Sequence, residues 1–249
     1  SYGGWTPRNG SHARYGQQVP LKWALQHSNN WISASLITTL GPQQFVGILH
    51  DFGLNNPDID RNATPVLSLG PCEVSVGEMV SAYTAFANGG VRCAPLFVTK
   101  IEDSHGNVIA KFQPLMTEVI SEDNSYRMID MMRAVIDGGT GSRLKGAYGM
   151  KGDICGKTGT TNSNSDGWFI AFTPELVSGA WVGGEDRDIH FDSTSLGQGA
   201  AAALPIWAYF MKKVYADHQL GYSDKPQFAI PKDFDFCSTS EDTDVNDIQ

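Results

Sequence analysis

Gly156-Lys157-Thr158-Gly159-Thr160-Thr161-Asn162 closes a short strand-like run, Ile154 to Thr160, and opens a turn-rich segment that extends to Asp166. A lysine among hydroxyls beside a glycine marks a strand edge where a ligand can lie close to backbone. Gly159 carries no side chain to block that approach. Lys157 contributes a positive charge, and Thr158 and Thr160 contribute hydroxyl donors, a set that suits a carboxylate. Thr161 extends the hydroxyl row, and Trp168 is expected close enough to touch a substrate. The same residues end a phosphate-loop pattern, G-x-x-x-x-G-K-[ST]. The glycine it requires five positions before Gly156 is Lys151, however, and the residues after it read as a turn where a helix is required. For K-T-G alone, a β-hairpin with an exposed lysine is the plain alternative.

Outward from this edge, Gly167 to Phe172 and Val177 to Val182 read as two more short strands. Three strands with brief links make an antiparallel meander. A single helix over Ala200 to Ala216 is expected to lay Ala203, Ile206, Trp207, Phe210 and Val214 against that sheet. Trp168, Trp181 and Trp207 read as sheet and helix packing. Upstream, helical patterns run from Val19, from Trp31 and over Gln43 to His50, broken by Gly and Pro. Asn55 to Gly70 reads as loop. Ser75 and Glu78 form a capping box that opens a helix to Gly89-Gly90. A hairpin with its turn at Ser104 to Asn107 follows, and then a helix capped by Ser121. The first helix ends at Ser28-Asn29-Asn30, an S-x-N sequence; alone it would be an ordinary helix end.

The bulk numbers bound the classes. At 249 residues the chain can bury a sizeable core, and 41% hydrophobic with 18% charged residues is an ordinary globular profile. The net charge of −9 argues against a nucleic-acid partner. Residues 223–249 read as an acidic, disordered tail, with one lysine against six acids from Lys232 onward. The longest apolar run, Ala200 to Met211, contains Pro205 and is too short to span a membrane. Cys72, Cys93, Cys155 and Cys237 form no C-x-x-C pair and no metal-ligand spacing, so neither a metal site nor a cofactor is expected. Their pairing stays open. Cys155 reads as small packing beside the site, and His27, next to Ser28, as a structural histidine.

S-x-N and K-T-G occur in that order in penicillin-binding proteins and related β-lactamases. The wider sequence resembles the transpeptidase domain of class A penicillin-binding proteins. The matching stretches begin with Val19 to Leu25, Ser28 and Asn30, Leu69-Gly70, and Ala82 to Gly90. They continue through Gly139-Thr140-Gly141, Gly156 to Asn162, Asp166 to Phe169, Trp181 to Gly184 and Ala203 to Trp207. The blocks are in family order over roughly residues 5 to 215.

The resemblance implies the penicillin-recognising serine transpeptidase/β-lactamase-like α/β fold, an antiparallel sheet flanked by helices. It implies a transpeptidase unit over residues 1–222 and a peptidoglycan D-alanyl-D-alanine transpeptidase in the parent protein. Stem peptides and β-lactam antibiotics would be its ligands, on the periplasmic side of a membrane reached only through an anchor outside this chain. By position, Ser28 would relay a proton, Asn30 would hold the substrate amide and Lys157 would sustain a positive field. Thr158 and Thr160 would bind the terminal carboxylate, and the Thr160 N–H would supply half of an oxyanion hole.

The family's first motif, S-x-x-K, holds the nucleophile and in relatives lies several dozen residues before S-x-N, which here falls ahead of Ser1. The S-x-x-K in this chain, Ser142 to Lys145, stands in the wrong order and reads as a surface turn. Two sheet strands and a buried central helix are expected upstream for the same reason, and the chain alone is expected to be inactive. A non-acylating stem-peptide binder and a serine β-lactamase-like hydrolase are the alternatives.

Overall fold

The structure, a computed structural model, describes residues 5–10, 14 and 16–235. Helices α1 (Leu21–Gln26), α2 (Asn30–Leu40) and α3 (Pro42–Asp51) fall where the sequence places them. Asn29 caps α2 by accepting the Ile32 N–H, and Gly41, at φ 95°, makes the break to α3. The expected loop from Asn55 to Gly70 instead holds α4 (Pro57–Arg61) and a 3₁₀ turn over Pro65–Leu69. Asn56 caps α4 and Pro57 starts it, while buried Ile59 and Leu67 anchor the two turns.

The Ser75–Glu78 capping box forms and opens α5 (Val76–Ala87). Strand β1 (Val91–Cys93) pairs with β4 (Met116–Glu118), a ladder the sequence did not reveal. Between them β2 (Lys100–Glu102) and β3 (Val108–Lys111) make the expected hairpin, closed by the Asp103 carboxylate accepting the His105 and Asn107 N–H groups. Helix α6 (Glu122–Gly138), capped by Ser121, leads to α7 (Arg143–Gly146).

Strands β5 (Cys155–Thr160), β6 (Asp166–Phe172) and β7 (Val177–Gly183) form the expected antiparallel meander, in the order β5-β6-β7. Then come α8 (Thr194–Gly197), α9 (Gly199–Ala202) and α10 (Leu204–Ala216). The single helix expected over Ala200 to Ala216 is therefore broken at Ala203, with Pro205 in the first turn of α10, where its missing N–H costs nothing. The break turns the buried stripe. Leu204, Trp207, Ala208, Met211 and Val214 face inward, while Ile206 and Phe210 are 50% and 47% exposed.

One apolar cluster joins α10 to one face of the sheet around Trp207, Phe169, Leu204 and Met211. A second holds α2, α3 and α5 together around Ile37, Ile59 and Ala85. A third packs Ile129 and Met132 of α6 against Cys155 and Phe172. Of the segment read as tail, residues 223–235 lie against the domain: Phe228 is buried in the third cluster and Phe234 packs on Tyr126. The remainder of that segment, 236–249, lies outside the described residues. Helix α6 thus packs against both β5 and α1, and the site forms at that junction.

Candidate active-site cleft

Strand β5 carries the cleft's main wall. Its alternation puts Thr158 and Thr160 on one face and Lys157 on the other. Opposite stands the turn after α1, where Ser28 adopts a left-handed backbone, φ 53°, its N–H donating to Leu25 O. Lys157 Nζ donates to Ser28 Oγ at 2.8 Å and to Thr158 O at 2.9 Å, so the two walls meet through an ammonium–hydroxyl bond. Desolvation lowers the Lys157 pKa to about 8. Behind the ammonium lies an apolar recess of about 260 Å³, lined among others by Leu25, Phe45, Met79, Tyr83 and Met132.

On the outer side is an open cleft of about 420 Å³ whose lining includes Ser28, Asn30, Thr140, Thr158, Thr160 and Thr161. The Thr160 hydroxyl accepts the Gly199 N–H at 3.0 Å, which leaves its proton for a ligand in the cleft. A Cβ on Gly199 would stand 2.2 Å from Trp168 O and 2.4 Å from Gly159 O, so only glycine brings that N–H to Thr160.

The other residues singled out from sequence have partners of their own. Asn30 lines the cleft, where Nδ2 donates one of its two hydrogens to Arg8 O at 2.6 Å and its backbone N–H donates to Asn9 Oδ1 at 2.8 Å. The Thr161 hydroxyl bonds Ser165 Oγ and Asp166 Oδ2 and so shapes the turn it starts. Trp168 is the cross-strand partner of Gly159, on the sheet face opposite Thr158 and Thr160, tilted against Trp181. Gly159 has a packing reason as well, since a Cβ there would meet Trp168 Cβ at 3.1 Å. His27 bonds Trp23 O through Nδ1 and stacks on Trp23 within its own turn of helix. Cys155 is buried, its thiol 3.4 Å from Ile129 O and its pKa raised by burial.

Two cleft-shaping residues escaped notice from sequence. Asp166 accepts from Thr161 Oγ1, Ser165 Oγ and Trp181 Nε1, holding a turn in which Ser163 and Asn164 have positive φ. Thr140 bonds Thr158 Oγ1 at 2.6 Å. The only signal for either was its place in a matching block.

Among the described residues no group of three His, Cys, Asp or Glu side chains could hold a metal ion, and Cys72, Cys93 and Cys155 are free thiols. Among them too, no helix is long and apolar enough to cross a membrane.

The depressed Lys157 pKa sets a pH signature. Binding of a carboxylate-ended ligand is expected to weaken as pH rises through about 8, where an ordinary lysine would hold its charge for two further units. Stability moves the other way. The unfolded chain keeps a proton the folded one has lost between about 8 and 10.5, so this group's contribution rises with pH across that window. A ¹⁵N titration of the ammonium checks both.

The fold and cleft define a class first: an α/β domain whose sheet edge sets a lysine and two oriented hydroxyls against a serine turn. The comparisons narrow it. The model described as "Penicillin binding protein transpeptidase domain" matches residues 1–182. Penicillin-binding protein 1A of Aquifex aeolicus is 36% identical over 213 residues, 84% of this chain and 27% of that protein. Its counterpart from Neisseria lactamica is 33% identical over 217 residues, 84% and 26%. The crystal structure of penicillin-binding protein 1A from Haemophilus influenzae superposes with a TM-score of 0.78 at 26% identity, covering 92% of this chain and 38% of that one. The fold also matches Mycobacterium tuberculosis penicillin-binding protein A in its imipenem acyl-enzyme complex, with TM-score 0.66, 21% identity, and coverage of 85% and 52%. The chain belongs to the penicillin-binding protein transpeptidase domain family. It spans about a quarter of the length of the curated relatives it matches.

Proposed function

We propose that this chain forms the carboxylate-holding part of a peptidoglycan D-alanyl-D-alanine transpeptidase acting at the cell envelope on the periplasmic side of the membrane. The observation that carries the reading is the 2.8 Å bond between Lys157 Nζ and Ser28 Oγ beside two hydroxyls on the same strand. A stem peptide ending in D-alanine would place its carboxylate against the Thr158 and Thr160 hydroxyls under the field of Lys157. The scissile carbonyl would then lie along β5, near the Thr160 N–H.

In the reaction a serine oxygen attacks the penultimate D-alanine carbonyl and terminal D-alanine leaves, its amine protonated by way of Ser28. An amine of a neighbouring stem then attacks the acyl-enzyme, forming the cross-link and freeing the serine. A β-lactam would acylate the same serine.

The nucleophile in this reading is an S-x-x-K serine of the parent polypeptide. The apolar recess behind Lys157 suits the apolar face of the segment bearing it. The chain's own S-x-x-K does not serve: Lys145 Nζ bonds Asp137 Oδ1 at 2.6 Å, and Ser142 sits at the start of α7.

Fluorescent penicillin is the test. Stable label is expected on the parent polypeptide and none on the 249-residue chain. Label on the chain alone would locate a nucleophile within it, with Ser142 the first suspect. Rapid release of hydrolysed penicillin by the parent would make the enzyme a β-lactamase, and a parent that binds stem peptide without labelling would be a non-acylating relative.

A further inference from the structure

The Gly139-Thr140-Gly141 turn lies outside the three residues assigned to carboxylate binding, yet it touches both walls of the cleft. Its backbone is pressed between elements. A Cβ on Gly139 would meet Gln26 O at 2.3 Å and Val135 Cα at 2.9 Å, and one on Gly141 would meet Ile136 Cδ1 at 2.8 Å. Between them the Thr140 N–H donates to Gln26 O at 3.2 Å, two residues before Ser28. The Thr140 hydroxyl reaches across to Thr158 Oγ1 at 2.6 Å, a short contact in which one of the two must donate.

A carboxylate is acceptor-only, so a Thr158 hydroxyl that binds one must spend its single proton on the ligand. It can then face Thr140 only as an acceptor, with Thr140 the donor. Thr160 has the same arrangement, with the Gly199 N–H behind its oxygen. With Thr140 as the donor, each strand hydroxyl has a protein donor at its back, which fixes its rotor and aims its proton at the cleft. Chained donors of this kind polarise one another and strengthen the last bond to the anion.

We propose that Thr140 is a positioning residue: its hydroxyl donates to Thr158 and thereby delivers the Thr158 proton to the terminal carboxylate of the ligand. This rests on the reading of the cleft as a carboxylate site, and it adds a residue that acts without touching the ligand. A free carboxylate is favoured over its amide because it offers a negative charge and two acceptor oxygens to the two aimed hydroxyl protons, where the uncharged amide offers one acceptor oxygen.

The experiment compares equilibrium binding of an N-acyl-D-alanyl-D-alanine dipeptide and its C-terminal amide to the 249-residue chain, by calorimetry. Wild type, Thr158→Val, Thr140→Val and Thr140→Ser are compared, with melting temperatures alongside. Thr140→Val is expected to lower the carboxylate-over-amide ratio about tenfold, close to Thr158→Val, while Thr140→Ser keeps the wild-type ratio. Thr140→Ala reads the same ratio should the valine variant not fold. An unchanged ratio in Thr140→Val or Thr140→Ala overturns the proposal. So does a serine variant as weak as the valine one, which would make the role one of packing. A wild-type chain without preference for the carboxylate removes the cleft reading itself, a separate failure visible before any variant is made.

Discussion

Lys157→Ala in the parent polypeptide is expected to slow acylation by a β-lactam about 10²- to 10³-fold, the size of effect seen when one preorganised electrostatic donor is removed from an acyl-transfer site. The lysine ammonium meets the Ser28 turn and the β5 backbone together, at 2.8 and 2.9 Å. Without it the carboxylate loses its counter-charge and the Ser28 hydroxyl its donor, so both ligand placement and proton relay suffer. Burial already lowers the lysine pKa to about 8, so the folded chain bears a desolvation cost for that charge. The alanine variant should therefore melt close to wild type. Stopped-flow acylation with a chromogenic cephalosporin, with circular dichroism as the fold check, makes the comparison. Acylation at the wild-type rate would end the electrostatic role assigned to Lys157.

The parts of this site that sequence discloses are those set by neighbours in the chain. Lys157-Thr158-Gly159-Thr160 declares a strand edge because its alternation and its glycine are local properties. The Ser75–Glu78 box declares a helix start because both partners lie within one turn. Motif order put Ser28 and Lys157 in one set of site residues, and the fold brings them together across 129 positions.

What sequence does not disclose is set by contacts between distant segments. Strands β1 and β4 have three residues each and no alternation, so only their mutual pairing defines them. The expected stripe is buried at Ala203, Trp207 and Val214 but not at Ile206 and Phe210, because apolar residues continue through the helix break at Ala203. The break there, with Pro205 just after it, re-phases the helix and leaves Phe210 half exposed. Asn30 and Thr161 were assigned by motif position and both line the cleft, but their bonds to Arg8 O and to the Asp166 turn are choices made by segments lying alongside. Thr140 showed only as part of a matching block, because nothing in a G-T-G turn says which hydroxyl it will meet.

Asp153→Ala is expected to cost about 3 kcal/mol of folding stability, at the low end for breaking a buried pair because the partner is partly exposed. Asp153 is 7% exposed and its carboxylate does three things at once. It accepts Arg133 Nε at 2.7 Å and Nη2 at 2.9 Å, a bidentate pair from α6, and the Phe228 N–H at 3.1 Å from the C-terminal segment. Arginine's own high pKa keeps the guanidinium charged when that partner is removed. Alanine would leave the buried Phe228 N–H unsatisfied and reduce the guanidinium to solvent and the Asp130 carboxylate, 3.9 Å from Nη1. Asparagine keeps an acceptor and should recover part of the loss.

For a chain of this size about 3 kcal/mol corresponds to a melting shift of roughly 6–12 °C, readable by calorimetry. A shift below about 2 °C would show that α6, β5 and the Phe228 segment are held by apolar packing alone. The consequence for the site is geometric. Asp153 lies four residues before Lys157 on the approach to β5, and the same strand carries the two hydroxyls. Loosening the clamp should let β5 slide against α6 and the Ser28 turn, so the Asp153 variant should lose ligand affinity as well as stability, while Lys157→Ala should lose affinity with its melting temperature intact. That contrast separates a residue that holds the strand from one that uses it.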